Sequence, residues 1–210
     1  GSTDGTIEII KRYESKIAYW VSEPDNGIYD AINKGIKAST GDVVGILHSD
    51  DIYADTHVIE DVIRQLGEKE TDSCYGDLVY VDRNDTNKII RHWKAGAFYK
   101  ESFKKGWMPP HPTFFAKKSV YKKHGLLNTD FPLASDYELM VRLLYKYGIS
   151  TAYIPRVLVK MRPGGTSRPG MYTLGSIREN YRAWKVNGLK YPITLLLKPL
   201  SKLMQFRYLS

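Results

Sequence analysis

Hydrophobic and polar residues follow two different periods along the chain. Val43–Leu47 is a short apolar run bounded by turn residues, which fits a buried strand of a parallel sheet. Ser73–Val81 alternates enough to form another strand, and Asp82–Asn87 is predicted to be the hairpin loop before a returning strand at 88–93. Asp55–Leu66 repeats aliphatic residues at helical spacing, which predicts an amphipathic helix. We therefore expect an α/β fold.

Further elements follow from periodicity, helix caps and turn residues. Helices are predicted after the Thr3–Asp4 cap and at 28–38, 98–105, 117–124, 135–147 and 172–186, and strands at 16–21, 113–116 and 149–161. Ser135 and Glu138 have the spacing of a capping box, in which the two side chains satisfy backbone N–H groups reciprocally. Pro155 is expected to divide the last strand region into short strands.

The strand at 43–47 leads into His48-Ser49-Asp50-Asp51. Carboxylates at the exit of such a strand lie at the edge of the sheet where open α/β folds bind ligands. Two adjacent carboxylates repel each other unless a cation or a hydrogen-bond donor compensates, and their hard oxygens suit Mg²⁺ or Mn²⁺ holding a phosphate-bearing ligand. An Asp-rich turn that caps the next helix would explain the same residues.

Several motifs occur in a fixed order and spacing. They are Gly1-Ser-Thr-Asp-Gly-Thr6, the stretch Ser22–Asp51 (SEPDNGIYDAINKGIKASTGDVVGILHSDD), His111-Pro-Thr-Phe-Phe115 and Ala134-Ser-Asp-Tyr-Glu138. Together they resemble glycosyltransferase family 2, and the resemblance implies a GT-A fold, a Rossmann-like mixed sheet with flanking helices. It covers residues 1–167, expected to form the GT-A domain, whereas residues 168–210 are expected to form a helical, basic and amphipathic tail.

The resemblance also implies that the domain is partial at its N-terminus. In the family pattern, Gly-Ser-Thr-Asp-Gly-Thr follows the second strand of the nucleotide-binding half, and here no strand precedes it. About one βαβ unit of ~30 residues is therefore expected to be missing. We expect residues 1–210 by themselves to bind nucleotide weakly and to turn over little.

The resemblance implies roles for the acidic residues. Asp50 first and Asp51 second would hold the cation and the diphosphate leaving group. His48 stands where the family often has the first Asp of Asp-x-Asp-Asp, and it could approach the nucleotide. Asp136 would be the general base that takes the proton of the acceptor hydroxyl, with Glu138 as its helper. The alternative is that Asp136 only stabilises its helix through the helix dipole.

Other residues are candidates for substrate binding. Glu23, Asp25 and Asn33 belong to the donor-side motif, although Asp25 in a Pro-Asp-Asn-Gly loop could be only a turn former. His111 follows a Pro-Pro pair and either lines the acceptor site or is an ordinary loop histidine.

Two arginines suggest a contact with phosphate. Arg162 and Arg168 flank Gly164-Gly165 in a basic loop, which could close over a diphosphate or be only a solvated surface loop.

Composition adds limits on partners. The 210-residue chain carries a formal net charge of +8, which favours anionic partners such as nucleotides, phosphorylated lipids, an anionic membrane face or nucleic acid. No recognised nucleic-acid-binding motif is present, so nucleic acid is not expected as a partner. The single cysteine, Cys74, lies in an apolar run, so we expect a buried structural thiol in a reducing, cytoplasmic setting.

The tail has two interpretations. Tyr191–Leu209 combines many aliphatic residues with Lys198, Lys202 and Arg207. Such a segment could lie on an anionic membrane, which would make the protein peripheral at the inner face, or it could pack as an ordinary helix on the domain or on a second subunit.

These observations converge on a metal-assisted, inverting glycosyltransferase. The expected donor is a nucleotide-diphosphate sugar and the expected acceptor a saccharide or lipid-linked hydroxyl, in the biosynthesis of cell-surface polysaccharide. The alternative is a non-catalytic GT-A remnant that serves as a binding or assembly module. A basic nucleic-acid binder is a third hypothesis, which steeply salt-dependent DNA binding would reveal.

Overall fold

The computed structural model describes residues 1–68, 70–164 and 174–192, and within them six strands form one mixed sheet. In chain order the strands are β1 (Val43–Gly45), β2 (Asp51–Tyr53), β3 (Ser73–Val81), β4 (Ile89–Trp93), β5 (Phe115–Lys117) and β6 (Thr151–Met161). Their spatial order is β1-β5-β3-β6-β2, and β4 pairs with β3 off this path.

The central strand β3 organises the sheet. It pairs in parallel with β6, and it pairs antiparallel with β5 at its beginning and with β4 at its end. All of its residues are buried except the half-buried Tyr80. Because successive side chains of a strand point to opposite faces, Tyr75 joins one hydrophobic core whereas Cys74 and Leu78 join the other.

Helices cover both faces of the sheet. They are α1 (Thr6–Arg12), α2 (Ile28–Ala38), α3 (Val58–Glu68), α4 (Lys118–His124), α5 (Ser135–Met140) and α6 (Leu174–Val186). A π-helical turn, Val141–Lys146, continues α5, and short 3₁₀ turns occur at Glu14–Lys16, Lys100–Lys105 and His111–Thr113. The aliphatic stripe of α3 packs in the core that contains Cys74, and residues of α2, α4, α5 and α6 pack in the core that contains Tyr75.

One strand prediction is wrong, and another is right about the strand but wrong about its pairing. The stretch 16–21 forms no strand: it begins in a 3₁₀ turn, and Ile17, Tyr19 and Val21 are exposed, so its alternation serves no buried face. The strand predicted at 43–47 exists as β1, but it pairs antiparallel with β5 rather than in a parallel sheet. An apolar run predicts that a strand is buried, and Val44 is indeed buried. The run does not predict whether the neighbouring strand is parallel or antiparallel.

The predicted capping box is also wrong. Ala134 occupies the N-cap position of α5 and makes no side-chain cap bond, and the buried Ser135 hydroxyl has no hydrogen-bond partner among the described residues. Glu179 of α6 caps the helix instead, because its carboxylate accepts the backbone N–H groups of Leu133 at 3.0 Å and Ala134 at 2.8 Å. Glu138 turns inward to Arg142.

The remaining differences concern boundaries. The strand β2 was not predicted, because only three residues of it pair with β6. Pro155 does not divide β6: the pairing register with β3 shifts between Ile154 and Val157, so the strand accommodates Pro155 in a bulge, where a missing N–H costs no ladder bond. The tail from residue 193 onward and Arg168 lie outside the described residues.

Candidate active site

The sheet brings three chain segments to one edge. Because β3 and β6 are parallel, both end there, and β2 begins there because it runs antiparallel to β6. In the pairing register, Met161 lies between Tyr80 on one side and Asp51 on the other. The paired aspartates therefore stand at the carboxyl ends of two central strands, although not at the end of a parallel β1.

Asp51 is a buried carboxylate without a full set of partners. It is 5% exposed, and its Oδ2 atom contacts no hydrogen-bond donor among the described residues. Its backbone N–H donates to the carbonyl of His48 at 3.0 Å, which folds residues 48–51 into a tight turn. Burial raises the pKa of Asp51 to about 6; the neighbouring His111 opposes this rise, and the negative charge of Asp50 adds to it. A cation at this point would compensate the buried charge.

Asp136 lies in a cluster with three rings. The hydroxyl of Tyr29 donates to Oδ1 of Asp136 at 3.2 Å, and Nδ1 of His111 lies 3.1 Å from Oδ2. The His111 ring meets the His48 ring edge-on at 5.5 Å between centroids. The side chains of Asp136 and His111 remain 23% and 31% exposed, so a substrate can reach them.

The pKa values in this cluster follow from its burial and charge. Burial lowers the pKa of His48, and the neighbouring His111 lowers it further. Burial raises the pKa of Tyr29 far above its usual range, and the charge of Asp136 adds to the effect. Tyr29 therefore stays a hydrogen-bond donor, and His48 favours its neutral form.

Tyr29 is the member of this cluster that the sequence did not single out. It lies within the donor-side motif, two residues after Gly27, and α2 turns its side chain toward Asp136. The one feature of the sequence that could have pointed to Tyr29 is its hydroxyl group, because a tyrosine that becomes buried needs a hydrogen-bond partner for its O–H.

Arg162 contacts the aspartate turn directly. Its backbone N–H and its Nη1 atom lie 3.4 Å and 3.5 Å from the carbonyl oxygen of Asp50. The structure thus brings His48, Asp50, Asp51, His111, Asp136 and Arg162 to one region, as the electrostatic influences among them also indicate.

Glu23 and Asp25 lie in a different place. Both form ion pairs of 2.7 Å with Lys34 of α2, and these contacts raise the pKa of Lys34. All three side chains line an open cleft of about 320 Å³ beside Tyr19 and Trp20.

Asn33 and Glu138 are engaged in buried contacts. The amide of Asn33 donates to the carbonyl of Leu127 at 2.8 Å and accepts its N–H at 3.0 Å. Glu138 is 2% exposed, pairs with Arg142 at 2.9 Å and accepts a bond at 2.9 Å from Asn187, the residue that follows α6. None of these contacts of Asn33 and Glu138 involves Asp136.

Clusters of metal ligands and membrane-spanning helices are both absent from the part of the chain that the structure describes. No group of three or more His, Cys, Asp and Glu side chains among the described residues is arranged to hold a metal ion. No described helix has the length and apolarity that a bilayer crossing requires.

The architecture is that of the GT-A glycosyltransferases. The fold matches Staphylococcus aureus TarS (residues 1–349, in complex with UDP) with a TM-score of 0.64 at 16% identity, over 94% of this chain and 56% of that one. It also matches the mannosyltransferase PcManGT of Pyrobaculum calidifontis, in complex with GDP-Man and Mn²⁺, with a TM-score of 0.58 at 16% identity, over 100% of this chain and 59% of that one.

The chain belongs to glycosyltransferase family 2, as its motifs indicated. The model of that family matches residues 1–126. An uncharacterized glycosyltransferase of Mycobacterium tuberculosis is 32% identical over 149 residues, which cover 68% of this chain and 53% of the relative. The chain thus spans about half the length of the curated relatives that it matches first.

Proposed function

We propose that the protein transfers a sugar from a nucleotide-diphosphate sugar to a hydroxyl acceptor, with inversion at the anomeric carbon. One observation carries the proposal: the partly exposed Asp136 is held by Tyr29 and His111 in the same region as the Asp50–Asp51 turn. A single displacement needs one base and one stabiliser of the leaving group, and these two features supply them.

Asp136 acts as the base in this proposal. The acceptor hydroxyl attacks the anomeric carbon while its proton passes to a carboxylate oxygen of Asp136, and the bond from that carbon to the diphosphate oxygen breaks. Tyr29 and His111 fix the carboxylate from two sides, which holds it in place for the incoming hydroxyl.

Asp50 and Asp51 would hold a divalent cation, Mg²⁺ or Mn²⁺. Such ions are commonly bound by one or two carboxylates together with the phosphates of the substrate, so two aspartates suffice. The buried, unsatisfied Oδ2 of Asp51 fits a hard cation. When bound, the ion would neutralise charge that develops on the diphosphate leaving group.

Relatives and neighbours support the choice of substrates. The solved neighbours contain UDP, or GDP-Man with Mn²⁺, and a relative 25% identical over 171 residues is named as a PGL/p-HBAD biosynthesis glycosyltransferase. We propose a saccharide or lipid-linked acceptor, and a role in cell-surface polysaccharide, on the family resemblance.

Asp136→Asn tests the proposal, with Asp130→Asn in an exposed loop as the matched control. The asparagine keeps the shape of the side chain but cannot accept the proton, so transfer from the active member of a nucleotide-sugar panel should fall by ~10²–10⁴ in kcat. The control should retain the wild-type rate. Full activity of Asp136→Asn would remove Asp136 from this mechanism, whereas no transfer from any donor of the panel by the wild type would favour a role in binding or assembly.

A further inference from the structure

We propose that Arg83, on the β3–β4 hairpin, binds the diphosphate of the donor together with Arg162. This inference rests on the proposed donor class, a nucleoside diphosphate carrying a sugar. Arg83 lies outside every motif that predicts the site, and it would be a second guanidinium beside Asp50.

Chain topology takes Arg83 to the acidic edge. It follows β3 by two residues, and Arg162 follows β6 by one. Because these strands are parallel neighbours, both arginines emerge at the edge where Asp51 begins β2.

The hairpin holds its shape through its own hydrogen bonds. The carboxylate of Asp82 accepts the N–H groups of Asn84 at 2.9 Å and Asp85 at 3.2 Å, and the N–H of Asp82 donates to the carbonyl of Lys88 at 2.9 Å. These bonds close the turn on both sides of Arg83, so they hold the backbone from which its side chain extends.

The side chain of Arg83 reaches the aspartate turn. A Cβ atom placed on Gly164 would lie 3.3 Å from Nη1 of Arg83 and 3.7 Å from Oδ2 of Asp50. Both charged groups therefore border the same point above Gly164. A side chain at residue 164 would occupy the space between them, and glycine leaves it open.

The charged groups of Arg83 and Asp50 are available to bind a ligand and its cation. Among the described residues, neither Arg83 nor the carboxylate of Asp50 forms an ion pair, whereas Arg64, Arg142 and Arg156 are all paired with carboxylates. A planar guanidinium binds phosphate through two parallel N–H bonds. A divalent cation would balance the negative charge of the two aspartates. The positive charge of Arg83 and Arg162 would then be free to bind the negative charge of a diphosphate.

The test is calorimetric titration of the full chain with UDP and GDP in the presence of Mn²⁺. Arg83→Gln should weaken the better nucleoside diphosphate roughly ten- to hundredfold, the usual effect of removing a charge-assisted hydrogen bond. Lys88→Gln removes one positive charge from the same hairpin and should change the affinity less than about twofold, because surface charges are screened by salt.

Two further measurements separate a phosphate contact from other effects. Arg83→Gln should weaken UDP or GDP more than the corresponding monophosphate, and its melting temperature should equal that of the wild type, since Arg83 is exposed. Arg83→Lys is a second variant that keeps the charge; it should also lose affinity, because an ammonium group cannot form the two parallel bonds.

The outcomes distinguish this inference from the proposed function. If the wild type binds diphosphates and Arg83→Gln binds them as well as Lys88→Gln does, Arg83 has no part in the site while the donor class stands. If the wild type shows not even weak binding of UDP or GDP with Mn²⁺, the proposed donor class fails, and the inference fails with it.

Discussion

Single residues of the site differ in how far their chemistry could be predicted. The pair Asp50–Asp51 was identifiable because two carboxylates follow an apolar strand. The burial of Asp51 and its unsatisfied oxygen were not, because they depend on β6, which is distant in sequence. Likewise, the sequence singled out Asp136 and His111 separately, but their contact depends on how the 3₁₀ turn that begins at His111 lies beside α5. The contact of Tyr29 with Asp136 depends on how α2 lies relative to α5.

The first prediction at this scale concerns the cation. Mn²⁺ should strengthen binding of a nucleoside diphosphate to the wild type, and Asp50→Ala should abolish that gain, because one of two carboxylate ligands is lost. Calorimetry with and without excess chelator measures the gain. Asp42→Ala, which removes an exposed carboxylate before β1, is the control. Equal binding by the wild type with and without chelator would contradict the role of the metal.

Cys74 supplies the second prediction. The structure confirms it as a buried thiol, with 0% exposure, and burial raises its pKa to about 12. Because the thiolate is the reactive form, a chromogenic thiol reagent at pH 8 should react negligibly with the folded protein. One equivalent should react after denaturation, as followed by absorbance. Rapid reaction of the native protein would show that the core around α3 opens easily.

Helices and strands were predicted correctly where the residues that define them are close together in the sequence. The helix at 28–38 and the β3–β4 hairpin are confirmed, since periodicity and turn residues define both locally. The direction of β1 could not be predicted, because its partner β5 lies at residues 115–117 and nothing in an apolar run specifies a parallel or an antiparallel neighbour. The cap of α5 failed for the same reason, as Glu179 comes from α6.

The buried ion pair of α5 gives a prediction for this scale. Glu138 and Arg142 lie one helical turn apart, and Arg142 also donates to the carbonyls of His124 and Leu126. Glu138→Gln leaves the guanidinium of Arg142, which is only 13% exposed, without its counter-charge, so the free energy of unfolding should fall, by up to ~3–5 kcal/mol. Denaturation with urea measures the loss.

A surface pair provides the control for that variant. Glu101 pairs with Lys104 at 2.7 Å on the surface, where solvent screens the charges, so Glu101→Gln should change the free energy of unfolding far less than Glu138→Gln does. The alternative role of Glu138, a helper in catalysis, predicts the reverse: normal stability with reduced kcat. Measuring both quantities on Glu138→Gln decides between the two roles.

For the whole molecule, the net charge of +8 makes an anionic surface a testable partner. We predict cosedimentation with vesicles that contain anionic lipid, weakening as salt is added, because the attraction is screened. Neutral vesicles are the control for lipid, and a chain that ends at residue 190 is the control for the tail. Unchanged vesicle binding without residues 191–210 would contradict the amphipathic interpretation of that segment.

The place of β6 in the sheet has a consequence for how the protein is made. Among the described strands, β6 is the last in the sequence, yet it lies inside the sheet between β3 and β2. During synthesis, β2 leaves the ribosome early and then waits for residues 151–161 before it gains its partner. Such distant pairing is slow, because a long loop must close first. The sheet and the acidic edge should therefore be completed together in one late folding step, and until then β3 would expose an open edge that chaperones or other nascent chains could bind.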